Sequence, residues 1–242
     1  MSRMFEELAW QMTEIGEISL RRRKLLQLGG IDVFEVKLGD EHLMSTLFHH
    51  AEEQLADLSL ARIAAPEIEV IVGGLGLGYT AQAALRNTKV KAVHVVEFLK
   101  PVIDWHESSL VPLGKELCED PRCHFVHGDF FSLAVSDTGF LKESPNSKVH
   151  AILLDIDHSP TRLLAAPSDS FYRPESLAKM ARHLHPGGVF AMWSDDAPDD
   201  EFFAILEQVF TNCDAHDISF DNPLLEGKSY NTVYVCSGVR PS

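Results

Sequence analysis

Three acidic residues stand where strand-like runs end: Glu97 after Lys91 to Val96, Asp129 just past His124 to Val126, and Asp155 after His150 to Leu154. A carboxylate at a strand tip can accept hydrogen bonds from a ligand hydroxyl or amino group, or take a proton from a nucleophile. Upstream, Glu69 to Thr80 is an apolar strand running into Gly73, Gly74, Gly76 and Gly78, followed by a helical stretch to about Arg86. Glycines permit the sharp turn from strand to helix and let a ligand approach bare backbone, while the helix start offers unpaired N–H groups. Glu97 falls about 20 residues beyond this bend, where an acidic side chain can accept both hydroxyls of a ribose. The pattern is that of a nucleoside pocket.

The elements that must position these residues alternate along the chain. Strand-like runs at Ile68 to Val72, Ala92 to Val96, His124 to Val126, His150 to Leu154, Gly188 to Trp193 and Thr232 to Cys236 are separated by helical stretches. Such alternation predicts an α/β fold, a mostly parallel sheet with helices on both faces. Before it, Asp32 to Leu38 alternates into a Gly39-Asp40 turn, which predicts a small N-terminal β-hairpin region spanning about Glu17 to Leu43. Apolar residues from Leu47 to Ile63 recur at helical spacing and predict a connecting helix. We therefore divide the chain into a hairpin-plus-helix region, 1–64, and a Rossmann-like nucleoside-binding domain, 65–242.

Composition narrows the partners. The 242 residues carry 36 acidic against 21 basic side chains, a formal net charge of -15. A surface of that sign repels phosphate backbones and anionic lipid, so neither nucleic acid nor membrane is expected, while a cationic small molecule is welcome. No stretch reaches the ~18 apolar residues that span a bilayer. The opening residues interrupt any signal-like core with Arg3, Glu6 and Glu7, so a cytoplasmic protein is expected. Cys118, Cys123, Cys213 and Cys236 form no CxxC pair, the twelve histidines have no ligand-like spacing, and no metal is expected.

The glycines allow two ligands. Gly76-x-Gly78-x-x-Ala81 would suit a dinucleotide, whereas Gly74-x-Gly76-x-Gly78 is the spacing common in S-adenosylmethionine enzymes. Asp129, placed to accept from an adenine amino group, and His185-Pro-Gly-Gly-Val-Phe190, which resembles a turn of methyltransferase-type folds, favour the second. From Glu17 to Cys236 the chain resembles the spermidine synthase (polyamine aminopropyltransferase) family, built on a methyltransferase-like sheet with a small N-terminal β domain. The likeness rests on Asp40 to Ser45, Glu53 to Ala56, Gly74 to Leu85, Val95 to Glu97, Gly128-Asp129, Ile152 to Asp155 and Leu184 to Val189.

What the resemblance implies is specific. Glu97 would hold the ribose and Asp129 the adenine, and Gly74, Gly76 and Gly78 would pass beneath the sulfonium-bearing chain. Asp155 would orient and deprotonate an attacking amine, with Glu53 helping to bind it. Asp157 and His158 contend for a second acidic position, and His158 could relay a proton. Tyr172, in a loop entering a helix, is a candidate wall for the acceptor. The donor would be S-adenosylmethionine or its decarboxylated form, the acceptor a small cationic amine, and the assembly a homodimer.

Two departures bear on the chemistry. The family's loop aspartate, which grips the amine of the donor's aminopropyl chain, falls at Leu77, and the aromatic residue of its Tyr-x-Glu falls at Ala51. A loop carboxylate would repel the α-carboxylate of intact S-adenosylmethionine, and Leu77 removes that repulsion. The expectation is therefore a transferase moving an aminopropyl or a methyl group. The alternative is a non-catalytic nucleoside-binding relative, with a nicotinamide dehydrogenase a distant third.

Overall fold

The computed structural model describes residues 4–164, 166–224 and 227–241. Four antiparallel strands open the chain, β1 (Phe5–Thr13), β2 (Gly16–Leu25), β3 (Ile31–Leu38) and β4 (Glu41–Ser45), hydrogen-bonded in that order. The hairpin read from the sequence is β3–β4, one edge of a larger sheet. β1 escaped notice because its apolar residues Phe5, Trp10 and Met12 are exposed, so it shows no alternation between an inner and an outer face. The basic run Arg21 to Lys24 lies on β2, where Glu7, Glu6, Glu35 and Asp32 pair with its four side chains in turn.

After helix α1 (His50–Leu60), strands and helices alternate: β5 (Ile68–Gly73), α2 (Tyr79–Arg86), β6 (Val90–Glu97), α3 (Lys100–Glu107), α4 (Gly114–Glu119), β7 (Cys123–His127), α5 (Phe130–Val135), β8 (Val149–Leu154), α6 (Pro174–Ala181), β9 (Leu184–Ser194) and α7 (Asp200–Val209). β10 (Phe210–Asp221) and β11 (Lys228–Val239) close the chain. The sheet order is β10-β11-β9-β8-β5-β6-β7, parallel from β9 to β7 and antiparallel at β11 and β10. α7 ends at Val209, and Phe210 begins a strand that places its side chain against Phe190.

β5 is buried on both faces, which explains its unbroken apolar run. Val70 and Val72 join one core layer with Leu55 of α1, Ala81 of α2 and Val102 of α3, whereas Ile71 joins the other with Phe130 of α5, Met180 of α6 and Leu206 of α7. Ile18, Leu20 and Val36 of the N-terminal sheet belong to the first layer, so that sheet packs directly on the larger one. The chain steps outward from β5 to β6 on one side and later to β8 on the other. This reversal opens a crevice at the carboxyl ends of β5 and β8, the position at which open α/β sheets bind ligands. Gly74 and Asp155 stand on its two lips. Among the described residues no helix is long and apolar enough to cross a membrane.

Candidate active site

The bend after β5 is forced by contact. Gly74 has φ +93°, and a Cβ there would lie 2.1 Å from the main-chain oxygen of Asp155. Only glycine permits both that conformation and that approach. Gly78 (φ +94°) is crowded only by the Leu117 and His106 side chains, and precedes the first turn of α2.

Around this bend a cavity of about 750 Å³ opens, lined by Gly74, Gly76, Glu97, Asp129 and Asp155. The three strand-tip acids and the glycine bend therefore share one hollow. Glu97, 8% exposed, accepts the N–H of Leu75 at 2.9 Å and that of Leu99 at 2.7 Å. Burial pushes its carboxyl up, and the backbone donors oppose that rise. Asp129 caps α5, taking the N–H of Phe131 at 3.0 Å and the hydroxyl of Ser132 at 2.5 Å. Both carboxylates are thus fixed in orientation before any ligand arrives.

Acidic and aromatic side chains also line this cavity. Asp155 accepts the Thr80 hydroxyl at 2.7 Å, and Glu52 of α1 and Asp195 line the same wall. Burial raises the Asp155 carboxyl, against the lowering effect of Thr80. Burial also raises Glu52, and the neighbouring Asp155 charge adds to it. Two carboxyls that each resist ionisation form a place where a cation gains attraction and can lose a proton. Phe48 and Phe220, whose ring centroids are 5.6 Å apart, line the cavity together with Trp193. The aromatic wall absent at Ala51 is supplied by other elements, and such faces attract ammonium groups.

Four expected residues remain to be located. Asp157 lines the cavity but is only 1% exposed, held by the Tyr172 hydroxyl at 2.6 Å and the Leu164 N–H at 2.8 Å. His158 also lines it, with Nε2 3.1 Å from Glu41 of β4. Tyr172 is not on the wall: its ring is buried in the second core layer and its hydroxyl serves Asp157. Glu53 likewise faces away from the cavity, pairing with His49 at 3.1 Å and Arg86 at 3.4 Å. The helical phase explains the exchange. Glu52 lies three and four residues before the buried Leu55 and Ala56, whereas Glu53 lies four before the exposed Asp57. That phase was available in the sequence and points to Glu52.

Leu77 is buried in the first core layer and its N–H meets the Met44 sulfur at 3.1 Å, so the loop carries no charge at that position. Among the described residues no group of three or more His, Cys, Asp or Glu side chains is placed to hold a metal ion.

No family model matches the chain. It is 27% identical over 208 residues to putrescine N-methyltransferase 4 of Nicotiana tabacum, covering 81% of this chain and 50% of that protein. It is 28% identical over 146 residues to the polyamine aminopropyltransferase of Prochlorococcus marinus, covering 60% of this chain and 46% of that protein. The chain spans about half the length of these relatives. Among solved structures, a spermidine synthase bound to a transition-state analogue superimposes on 97% of this chain with a TM-score of 0.73 at 17% identity, covering 75% of that chain. A human methyltransferase-like protein 13 bound to SAH covers 79% of this chain, and 83% of its own, with a TM-score of 0.58 at 20% identity. The fold is that of the methyltransferase-like sheet, and the relatives carrying the sequence likeness are transferases of the group the motifs resemble.

Proposed function

We propose that the chain is a transferase that moves a methyl or an aminopropyl group from S-adenosylmethionine, or its decarboxylated form, to a small amine of the polyamine class. One observation carries the reading: Glu52, Asp155 and Asp195 face the same cavity as Glu97, Asp129 and the Gly74 bend. A nucleoside held at the second group leaves its sulfonium side toward the first. The acceptor must surrender a proton, because an ammonium has no electron pair to offer. Asp155 takes that proton. The freed amine attacks the carbon on sulfur, the carbon–sulfur bond breaks, and its electrons leave a neutral thioether. Most of the acceleration comes from alignment of nucleophile and carbon, helped by walls that exclude water. Phe48, Phe220 and Trp193 suit the methylenes and the distal charge of such an amine.

Leu77 favours intact S-adenosylmethionine, and hence methyl transfer, since no loop carboxylate opposes the donor's own. Calorimetry with S-adenosylmethionine, its decarboxylated form and methylthioadenosine, followed by turnover against a panel of diamines, tests the proposal. Binding of intact donor and a methylated amine is the expected result. Binding of the decarboxylated donor alone with an aminopropylated product would assign the second chemistry. Binding without turnover on any amine would favour a non-catalytic nucleoside-binding role, and no affinity for any of the three would defeat the proposal.

A further inference from the structure

Far from the cavity, two thiols meet across the antiparallel pair at the sheet edge. Cys213 of β10 and Cys236 of β11 are direct register partners, and both side chains lie on the face covered by α7. Directly opposed residues of such a pair hold their Cα atoms about 4.5–5.5 Å apart. That separation falls within the roughly 4.4–6.8 Å that a disulfide bridges. Neither thiol is paired in a disulfide, Cys236 is fully buried, and Cys213 is partly open to solvent.

The pair is chemically unequal. The neighbouring Cys236 side chain holds the Cys213 thiol below its ordinary range, with the Arg240 guanidinium acting in the same direction, against burial and the Glu207 and Asp214 carboxylates. That guanidinium is anchored by the main-chain oxygens of Glu207 and Phe210 at 2.9 and 3.2 Å. The same contact with Cys213, together with burial, pushes Cys236 up. The accessible thiol is therefore the one whose deprotonation is favoured over its partner's, the direction that suits the attacking sulfur of thiol–disulfide exchange.

We propose that Cys213 and Cys236 form a modification site at which a low-molecular-weight disulfide is reduced while a cross-strand disulfide forms. With oxidised glutathione, the Cys213 thiolate attacks one sulfur and releases one glutathione, which takes up the proton lost by Cys213. Cys236 then gives up its proton as its sulfur attacks Cys213, and the second glutathione leaves with that proton. Two protein thiols and one glutathione disulfide become one protein disulfide and two glutathiones. The bridge pins the register of the two strands whose other ends carry Phe220, Ser229 and Asn231 to the cavity wall.

The test uses the full chain incubated with oxidised glutathione, denatured in iodoacetamide and mapped by mass spectrometry. The expected product is a Cys213–Cys236 linked peptide pair, lighter by two hydrogens than the two free peptides and unalkylated at both positions. In Cys236→Ser the reaction should stop at a glutathione adduct on Cys213, and in Cys118→Ser/Cys123→Ser the bridge should still form. Recovery of both thiols as alkylated cysteines, a persistent glutathione adduct on Cys213 of the unaltered chain, or bridging to Cys118 or Cys123 would each overturn the proposal.

Discussion

The hydroxyl of Thr80 donates to Oδ2 of Asp155 across 2.7 Å, tying the first turn of α2 to the tip of β8. The tip of β8 also touches the bend after β5, where Gly74 passes beneath the main-chain oxygen of Asp155. The bend that shapes the nucleoside end of the cavity and the carboxylate assigned to the acceptor end are therefore one mechanical unit. Under the proposed function, donor and acceptor would be registered to each other by the contact between β5 and β8.

Replacing Asp155 with asparagine keeps size and an oxygen for Thr80 but removes the proton acceptor. Turnover is expected to fall by about a hundredfold or more, the scale of a lost general base, while nucleoside affinity stays within a few-fold. Steady-state rates paired with calorimetry separate the two effects. Unchanged turnover would remove Asp155 from the mechanism.

The acidic wall also predicts how stability responds to pH. Glu52 and Asp155 both have raised folded-state values, first through burial, so the folded chain holds protons there that the unfolded chain has released. Such groups contribute their stabilisation fully below the unfolded value, about pH 4, and lose it as pH rises through the folded values. In Glu52→Gln the part of this loss due to Glu52 is absent. The melting temperature of the variant relative to the unaltered chain should rise between about pH 5 and pH 8, and a bound diammonium should shrink the difference. An offset that stays constant over that range would show that Glu52 titrates normally.

Much of this architecture was legible because its causes are local. The parallel core appears as apolar runs ended by acids, and the Gly74 bend as glycines where backbone meets backbone. What stayed hidden depends on distant packing. β1 and β10 carry weak alternation and are recognised by their partners β2 and β11. Phe48 and Phe220 come together from opposite ends of the chain, which no spacing rule foretells. Glu52 is distinguished for a different reason: the motif position of the resembled family falls at Glu53, whereas helical phase turns Glu52 toward the cavity.

Gly74 and Gly187 make a matched comparison, since both have positive φ but only Gly74 would carry a Cβ into neighbouring atoms. Gly187→Ala bears only the conformational cost, about 1–2 kcal/mol, and should leave the cavity intact. Gly74→Ala adds displacement of the Asp155 backbone, so it should be markedly less stable and lose nucleoside binding. Denaturant midpoints with binding isotherms decide it. Equal losses in the two variants would mean that the approach to Asp155 is not tight.

Tyr172 offers the sharpest distinction between a wall residue and a positioning residue. Its hydroxyl donates to Asp157 Oδ2 at 2.6 Å, while the Leu164 N–H donates to Oδ1, so this nearly inaccessible carboxylate is held from both sides. Burial pushes Asp157 up, and those two donors hold it down. In Tyr172→Phe the ring and its packing against Phe171 and Phe202 remain, but one carboxylate oxygen loses its partner. Leaving a buried acceptor unpaired costs about 1–3 kcal/mol, which for a chain of this size lowers the melting temperature by roughly 2–12 °C. Because Asp157 lies between Asp155 and His158, its loosening should raise the acceptor KM more than it lowers kcat. A tyrosine acting only as an aromatic wall would tolerate phenylalanine with neither change, so a variant with unaltered melting and KM would return Tyr172 to that role.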